Sequence, residues 1–473
     1  MVPAAGLAGA APAAGAGLAS DRRPLLLVLA TAALAATWYG QLLVGRDEGL
    51  ATLGYDSAFF QQLVWSVGHG RGFSSTFTEG SFLGLHFEPL LALPAALELA
   101  WPDPRLLSVL AALSIAAIAV AAFLFLNDLC GRPWLSATIA AAVPFWPALQ
   151  EAARAGFHPE TIGLALALLA GWAALRGRGW LVVAFAAAAL GAKEDQAWNL
   201  VVIGIALATR PATRSGGLRL VAAALVAGTL ITAVVMPLVR AGHHVDTDKY
   251  YSWLGTASPA SIAHALTQPK GWFGVLLLFL SVGGIPVLRP AWLALIIPPL
   301  FGDLLSSHLP QPYLHLQYAL PLVVPMLVAA GMAARSLKVP PHLLPGLAVP
   351  VAAIALLFGS LPPALAANAE PFRQRPAWEG LEVCTRQVPS RAPVAADDGL
   401  LIWLASRPTV RELSLADPGD YLVIDRAAQV PGYVDHARRE AALRFVDRAI
   451  LCDDGRFLLV GPVSRTLPTS QGW

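Results

Sequence analysis

The chain has 473 residues; 56% are hydrophobic, only 13% are charged, and the net charge is +2. Mean hydropathy is +0.61, whereas soluble domains carry roughly 25% charged residues. These values exclude a soluble enzyme, a disordered chain and a fibrous chain, and the lack of a basic stripe argues against nucleic acid as a partner.

Residues 1–20 form an Ala/Gly/Pro tract with nothing to bury. With Asp21, Arg22 and Arg23 they make a flexible cytoplasmic tail, 1–23. The apolar run 25–44 reaches about 30 Å as a helix, enough to cross a bilayer. It is too long for a cleaved signal peptide and reads as a signal anchor. Further runs lie at 106–126, 134–150, 160–175, 180–192, 197–209, 217–239, 272–288, 291–304, 316–334 and 343–361. The count is about eleven transmembrane helices in a membrane domain 24–362. Segment 87–100 is too short to span, is interrupted by Pro89 and Pro94, and fits an interfacial or re-entrant piece.

The positive-inside rule supports this count. With the N-terminus inside, the inner turns hold Arg22 and Arg23; Arg132; Arg176 and Arg178; Arg210, Arg214 and Arg219; Arg289; Arg335 and Lys338. The polar chemistry then collects outside. It comprises a large first loop, 45–105, and the stretches Glu151–Glu160, Lys193–Gln196, Arg240–Lys270 and Asp303–Tyr318.

Within the first loop, Gly54-Tyr55-Asp56 precedes Gln61, Gln62 and Trp65. Asp56 can cap the helix that follows. Phe59, Phe60, Leu63, Val64 and Val67 would then face lipid, laying helix 57–68 flat on the outer surface with Trp65 as anchor. Leu85-His86-Phe87-Glu88-Pro89 leads into the short apolar piece. Lys193-Glu194-Asp195 divides two runs of 13 residues, each about 20 Å against a core of about 30 Å. Three charges at roughly 2.5–3.5 kcal/mol each would defeat insertion unless they reach water or one another. They read as the charged floor of a water-filled cavity, or as a plain outer turn between tilted helices. His308, His315, Gln317 and Tyr318 sit in a Pro-rich stretch, where Pro310 and Pro312 forbid a continuous helix. His243-His244-Val245-Asp246-Thr247-Asp248 resembles a loose metal cluster but reads better as a solvated loop.

Pro362 and Pro363 end the last span, and 363–473 have ordinary soluble composition, forming a small α/β domain outside the membrane. Strands are expected at 394–397, 409–413, 421–425, 443–452 and 457–460, a short helix at 398–406, and a hairpin turn at Asp453-Asp454-Gly455. No C-x-x-C occurs, which leaves zinc and thioredoxin-like sites unsupported. Cys384 and Cys452 either form a disulfide or remain two buried thiols.

The order of these motifs resembles a bacterial multipass family catalogued as domain of unknown function 2079. The matching features are the Tyr55-Asp56…Gln62…Trp65 start, His86 with Pro89, Phe157-His158-Pro159-Glu160, Lys193-Glu194-Asp195, Gln317-Tyr318 and Leu404-Ala405-Ser406-Arg407. The likeness runs from about residue 50 to 460; Glu88 departs from it, standing where a small residue is expected. That family in turn resembles GT-C glycosyltransferases, membrane enzymes that take sugars from polyprenyl-phosphate donors. The resemblance implies Asp56 as catalytic acidic residue and Glu160 as a second.

The chemistry agrees. An acceptor hydroxyl attacks the anomeric carbon, a carboxylate takes its proton, and the departing phosphate needs positive charge. Asp56 offers the base. His86, Arg154, His158, Lys193 and Arg240 are candidate phosphate partners, with Gln62, Glu88, Glu194, Asp195, His315 and Tyr318 as further site lining. No cofactor is fixed by the sequence; a divalent cation, Mg or Mn, is the one candidate. The expected protein is an all-α polytopic glycosyltransferase of the cytoplasmic membrane. It acts at the outer face on a glycan, lipid or protein acceptor. The alternative is a transporter or flippase, because intramembrane charges also mark transport paths.

Overall fold

The computed structural model describes residues 21–243, 250–337, 340, 344–359, 378–428, 430–432, 434–444 and 448–463. The tail 1–20, the His244–Asp248 part of the loose metal cluster, Lys338 and the break at Pro362–Pro363 lie outside the described residues. Ala and Leu, which lose little side-chain freedom in a helix, fill the apolar runs. Helix α1 (Arg23–Glu48) starts with Pro24 in its first turn, where the missing N–H has no cost. After it come α2 (Gly54–Gly68), α3 (Ala92–Ala100) and α4 (Arg105–Cys130). α1 packs on α4, and α4 packs on α7 (Pro159–Leu175). α7 in turn contacts α8 (Gly179–Ala192) and α9 (Gln196–Ala208), and α9 packs on α10 (Arg214–Leu230). A later helix, Val323–Ala334, has every residue buried and sits at the centre of the bundle.

Among the described residues, four helices are long and apolar enough to cross a membrane: Arg23–Glu48, Arg105–Cys130, Pro211–Arg240 and Leu316–Ala334. The other expected spans are shorter or broken. Run 134–150 becomes α5 (Pro133–Ala142) and α6 (Pro147–Ala155), parted at Val143-Pro144-Phe145. Run 272–288 stops as a helix at Ser281, before Pro286, and 291–304 is a 3-10 turn followed by Ile297–Leu304. Proline removes a donor and collides with the preceding turn, which accounts for the break at Pro144; the helix ending at Ser281 instead runs into Gly283 and Gly284, both left-handed at φ 65° and 66°. Segment 87–100 stays a short piece, Pro89–Ala100, with Leu93, Leu97 and Leu99 exposed.

The C-terminal region carries one five-stranded sheet in the order β2-β1-β3-β5-β4. Its strands are β1 (Val394–Ala396), β2 (Val410–Glu412), β3 (Tyr421–Asp425), β4 (Ile450–Asp453) and β5 (Phe457–Val460). β1 is parallel to β2 and β3, and β5 is antiparallel to β3 and β4. All five expected strands form. The fourth starts at Ile450 rather than 443, after a helix at His436–Ala442. Cys384 and Cys452 form a disulfide, which ties helix Trp378–Thr385 to β4.

One expectation is overturned. Helix α2 does not lie against lipid. Phe59, Phe60, Leu63 and Val64 are all less than a tenth exposed and pack with Leu43, Phe82, Leu91, Leu107 and Phe157. Ala58 joins the core of the C-terminal domain. The helix is therefore sandwiched, with its apolar face on the membrane domain and its polar face on the tail. Trp65 stacks on His69 and takes Arg71 over its ring.

Candidate active site

Lys193 ends α8 in an extended conformation, and α9 restarts at Gln196, so the charged triplet lies in the break between two short helices. Lys193 Nζ pairs with Glu160 in the first turn of α7. Glu194 holds the 85–89 segment. Its Oε1 meets His86 Nδ1 at 2.8 Å, and its Oε2 accepts the Phe87 N–H at 2.8 Å. Asp195 accepts from Gln196 Nε2 at 2.9 Å, and Gln196 accepts from Asn199 at 3.0 Å. Glu88 is 1% exposed and lies within electrostatic reach of Glu160, Lys193, Glu194 and Asp195. Buried His158 acts on Glu160 in the same way and packs edge-on against Phe60 at 5.3 Å.

Asp303 also belongs here, and its role was missed in the sequence. It is buried and feels both Asp195 and Lys193. Its signal was available: a lone acid in an apolar, Pro-rich run at membrane depth. Five carboxylates thus surround one lysine. Glu88 Oε2, Glu160 Oε2 and Asp303 Oδ2 are buried without a hydrogen-bond partner among the described residues. Such orphaned oxygens are costly in a fold and collect at functional sites.

Asp56 is the third residue of α2, half-exposed, and its carboxylate accepts no hydrogen bond among the described residues. It does not cap its helix: the N-cap is Leu53, and the Gly54 N–H is taken by Asp398 Oδ2 at 2.9 Å. Tyr318 joins the two groups, being within electrostatic reach of Asp56 and also of Lys193 and Glu160. Its ring meets His308 edge-on, and His308 stacks on Tyr250 at 4.7 Å.

The remaining expected site residues divide. Arg240 gives its Nε to the Gly84 carbonyl at 3.2 Å, beside the His86 segment, with both Nη groups unengaged among the described residues. Gln62 is a strut, not an open ligand. Its Nε2 donates to the Arg407 carbonyl at 3.1 Å, and its Oε1 accepts from Ser75 and Thr76. Arg154 pairs with Glu151 at 2.8 Å, and Glu151 lies 3.7 Å from His315. Arg154 and His315 form no hydrogen bond or ion pair with the Lys193 cluster among the described residues. Both were expected to line one site with Lys193; the pairing with Glu151 holds them in a second polar group. No group of three or more His, Cys, Asp and Glu side chains among the described residues is disposed to hold a metal ion.

The fold has known counterparts. It is similar to the crystal structure of ArnT from Cupriavidus metallidurans bound to undecaprenyl phosphate, with a TM-score of 0.55 at 13% identity, over 93% of this chain and 98% of that one. The same protein in the apo state aligns with a TM-score of 0.51 at 13% identity, over 92% and 97%. A comparison with curated protein sequences finds no match. Residues 46–434 match the family described as predicted membrane protein (DUF2079). The motifs of the first loop, the 157–160 turn, the Lys193 break and the 404–407 segment all fall within that range, and the chain belongs to this family.

Proposed function

We propose that the chain is a membrane glycosyltransferase of GT-C kind, taking a sugar from a polyprenyl-phosphate donor. The acceptor is a glycan, lipid or protein at the outer face of the cytoplasmic membrane. The observation that supports this reading is that Tyr318 lies within electrostatic reach of both Asp56 and the Lys193–Glu160 pair. The ArnT-like fold supports it, since ArnT has been crystallised with undecaprenyl phosphate.

In this reading the bond between the anomeric carbon and the donor phosphate oxygen breaks as the acceptor oxygen attacks from the opposite face. Asp56, unbonded and half-exposed, takes the acceptor proton. Lys193 and Arg240 balance the charge of the departing polyprenyl phosphate in a site where water screens poorly. Glu160 holds Lys193 in place and is the second acidic residue. The first loop, the charged break and the C-terminal domain face outward. A cysteine at position 386, where the arginine side chain is 71% exposed, is then labelled from outside, and one at position 178 is protected. The reverse pattern inverts the topology.

The deciding experiment is transfer from a polyprenyl-phosphate donor by wild type and Asp56→Asn at matched folding. The variant should lose roughly 10²–10⁴-fold in rate while still binding donor. Equal rates would move the base to Glu160. No transfer by wild type with any donor offered would favour the transporter or flippase reading instead.

A further inference from the structure

The Leu404–Arg407 motif lies in the C-terminal domain, about 350 residues beyond Asp56 in sequence, and the chemistry above leaves it without a role. Its surroundings supply one. The tail grips the start of α2 and the connection that leads into it. Trp403 Nε1 donates to the Asp47 carbonyl at 2.9 Å. Gly399 abuts Leu50: a Cβ at 399 would sit 2.3 Å from the Leu50 carbonyl oxygen. Leu50 itself has φ 58°, a left-handed conformation that a branched side chain rarely adopts unless its surroundings impose it. Asp398 Oδ2 takes the Gly54 N–H at 2.9 Å, and a Cβ at 54 would fall 1.7 Å from the Asp398 carbonyl oxygen. Two glycines therefore let two backbones touch.

Further along α2, Gln61 Nε2 donates to Ser406 Oγ at 3.0 Å and Gln62 to the Arg407 carbonyl. Thr76 Oγ1 both donates to the Val410 carbonyl, at 2.5 Å, and accepts its N–H, at 3.2 Å. The carboxylate of Asp398 thus does what a helix's own N-cap residue normally does, satisfying a first-turn donor and matching the positive end of the helix. It supplies this from another domain, because Leu53 cannot.

Resting on the glycosyltransferase reading above, we propose that Asp398 is a positioning residue of the reaction. By capping α2 from the C-terminal domain it fixes the helix start, and so places the Asp56 carboxylate against Tyr318 and the Lys193–Glu160 pair. Asp398 touches no substrate. The C-terminal domain is then part of the reaction centre's support and not an appended module.

The test uses the full chain in lipid nanodiscs. Asp398→Ala removes the cap, while Asp398→Asn keeps an acceptor oxygen. Asp398→Ala should lower turnover on the order of 10²-fold through misplacement, with the donor KM unchanged and faster hydrogen exchange at 54–57 but not in β1 and β3. Asp398→Asn should restore most of the rate. A second readout needs no turnover. In a Cys130→Ser background, the Asp56→Cys/Tyr318→Cys pair is crosslinked with a short bismaleimide, and adding Asp398→Ala should cut the yield several-fold. Unchanged crosslinking, or wild-type turnover with residues 54–57 already exchanging fast, overturns the proposal. So does a rate loss that tracks general loss of sheet protection and is not rescued by Asn. Should wild type transfer no sugar at all, the glycosyltransferase reading fails, and the crosslink still decides whether Asp398 places residue 56.

Discussion

Buried carboxylates occur in both halves of this molecule, and they are treated in opposite ways. In the C-terminal domain the three buried aspartates each pair with a guanidinium: Asp397 with Arg439 at 2.9 Å, Asp420 with Arg411 at 2.7 Å, Asp425 with Arg456 at 2.9 Å. Buried Glu412 has no cation; it accepts from Ser414, and its other oxygen has no partner among the described residues. In the membrane domain five carboxylates share Lys193, and among the described residues three of their oxygens are orphaned, as are both oxygens of buried Glu98 outside the cluster. A matched pair is what a fold needs; an unmatched excess persists only where something else requires it. The first set therefore reads as architecture, and the second marks the candidate site.

The contrast can be broken most forcefully at Lys193. Lys193→Gln leaves Glu160 buried without its partner and should cost about 3–5 kcal/mol, read as a lower melting temperature of the purified protein. Adding Glu160→Gln should recover most of that loss. A Lys193→Gln protein that melts like wild type but binds undecaprenyl phosphate more weakly would place the lysine's value wholly in the ligand. Next in size is the disulfide. Reducing Cys384–Cys452 should destabilise the C-terminal domain by roughly 2–4 kcal/mol. Under denaturing conditions a thiol reagent should label one cysteine, Cys130, before reduction and three after.

A smaller effect separates the two halves directly. Arg456→Ala should cost about 1–3 kcal/mol in the C-terminal domain and spare transfer per folded molecule. Glu88→Gln should do the converse, leaving melting unchanged or raised because it relieves the carboxylate excess. If both variants behave alike, the distinction between the halves is lost. The smallest effect concerns pH. The Arg426 guanidinium, followed by the Gly455 N–H, holds Asp453 down to about 2. Its folded value lies below the unfolded one of about 3.9, so the pair contributes above pH ~4 and is lost as pH falls toward 2. Amide protection in β4 and β5 should weaken in that window. An identical acid profile in Arg426→Ala would remove the pair from the account.

Much of this was legible in the sequence, and the reasons are local. The five strands announce themselves through short apolar runs between turn signals, and Gly455, at φ +93°, closes the hairpin as expected. The charged break at 193–195 follows from helix length set against bilayer thickness. What was not legible depends on distant partners. Apolar residues on one face of α2 predict burial but not what buries them, and lipid was the wrong cover because the C-terminal domain claims the polar face. Gln62 looks like a ligand until Arg407 and Thr76 are seen to consume its amide. Asp56 looks like a cap because the true cap lies 344 positions away from Gly54. Pro144 split one expected span and the left-handed pair Gly283-Gly284 ended another, breaks that hydropathy averages over.

That separation of 344 positions also sets an order of synthesis. Chains are made from the N-terminus at about 5–20 residues per second, so α1 and α2 emerge on the order of 17–70 s before Asp398 exists. Throughout that interval the Gly54 amide lacks the Asp398 carboxylate that takes it in the folded chain. A chain cut short anywhere before residue 398 can thread its membrane helices yet never complete this corner. The contacts that close this corner are therefore the last to become available, because they come from residues 398–410.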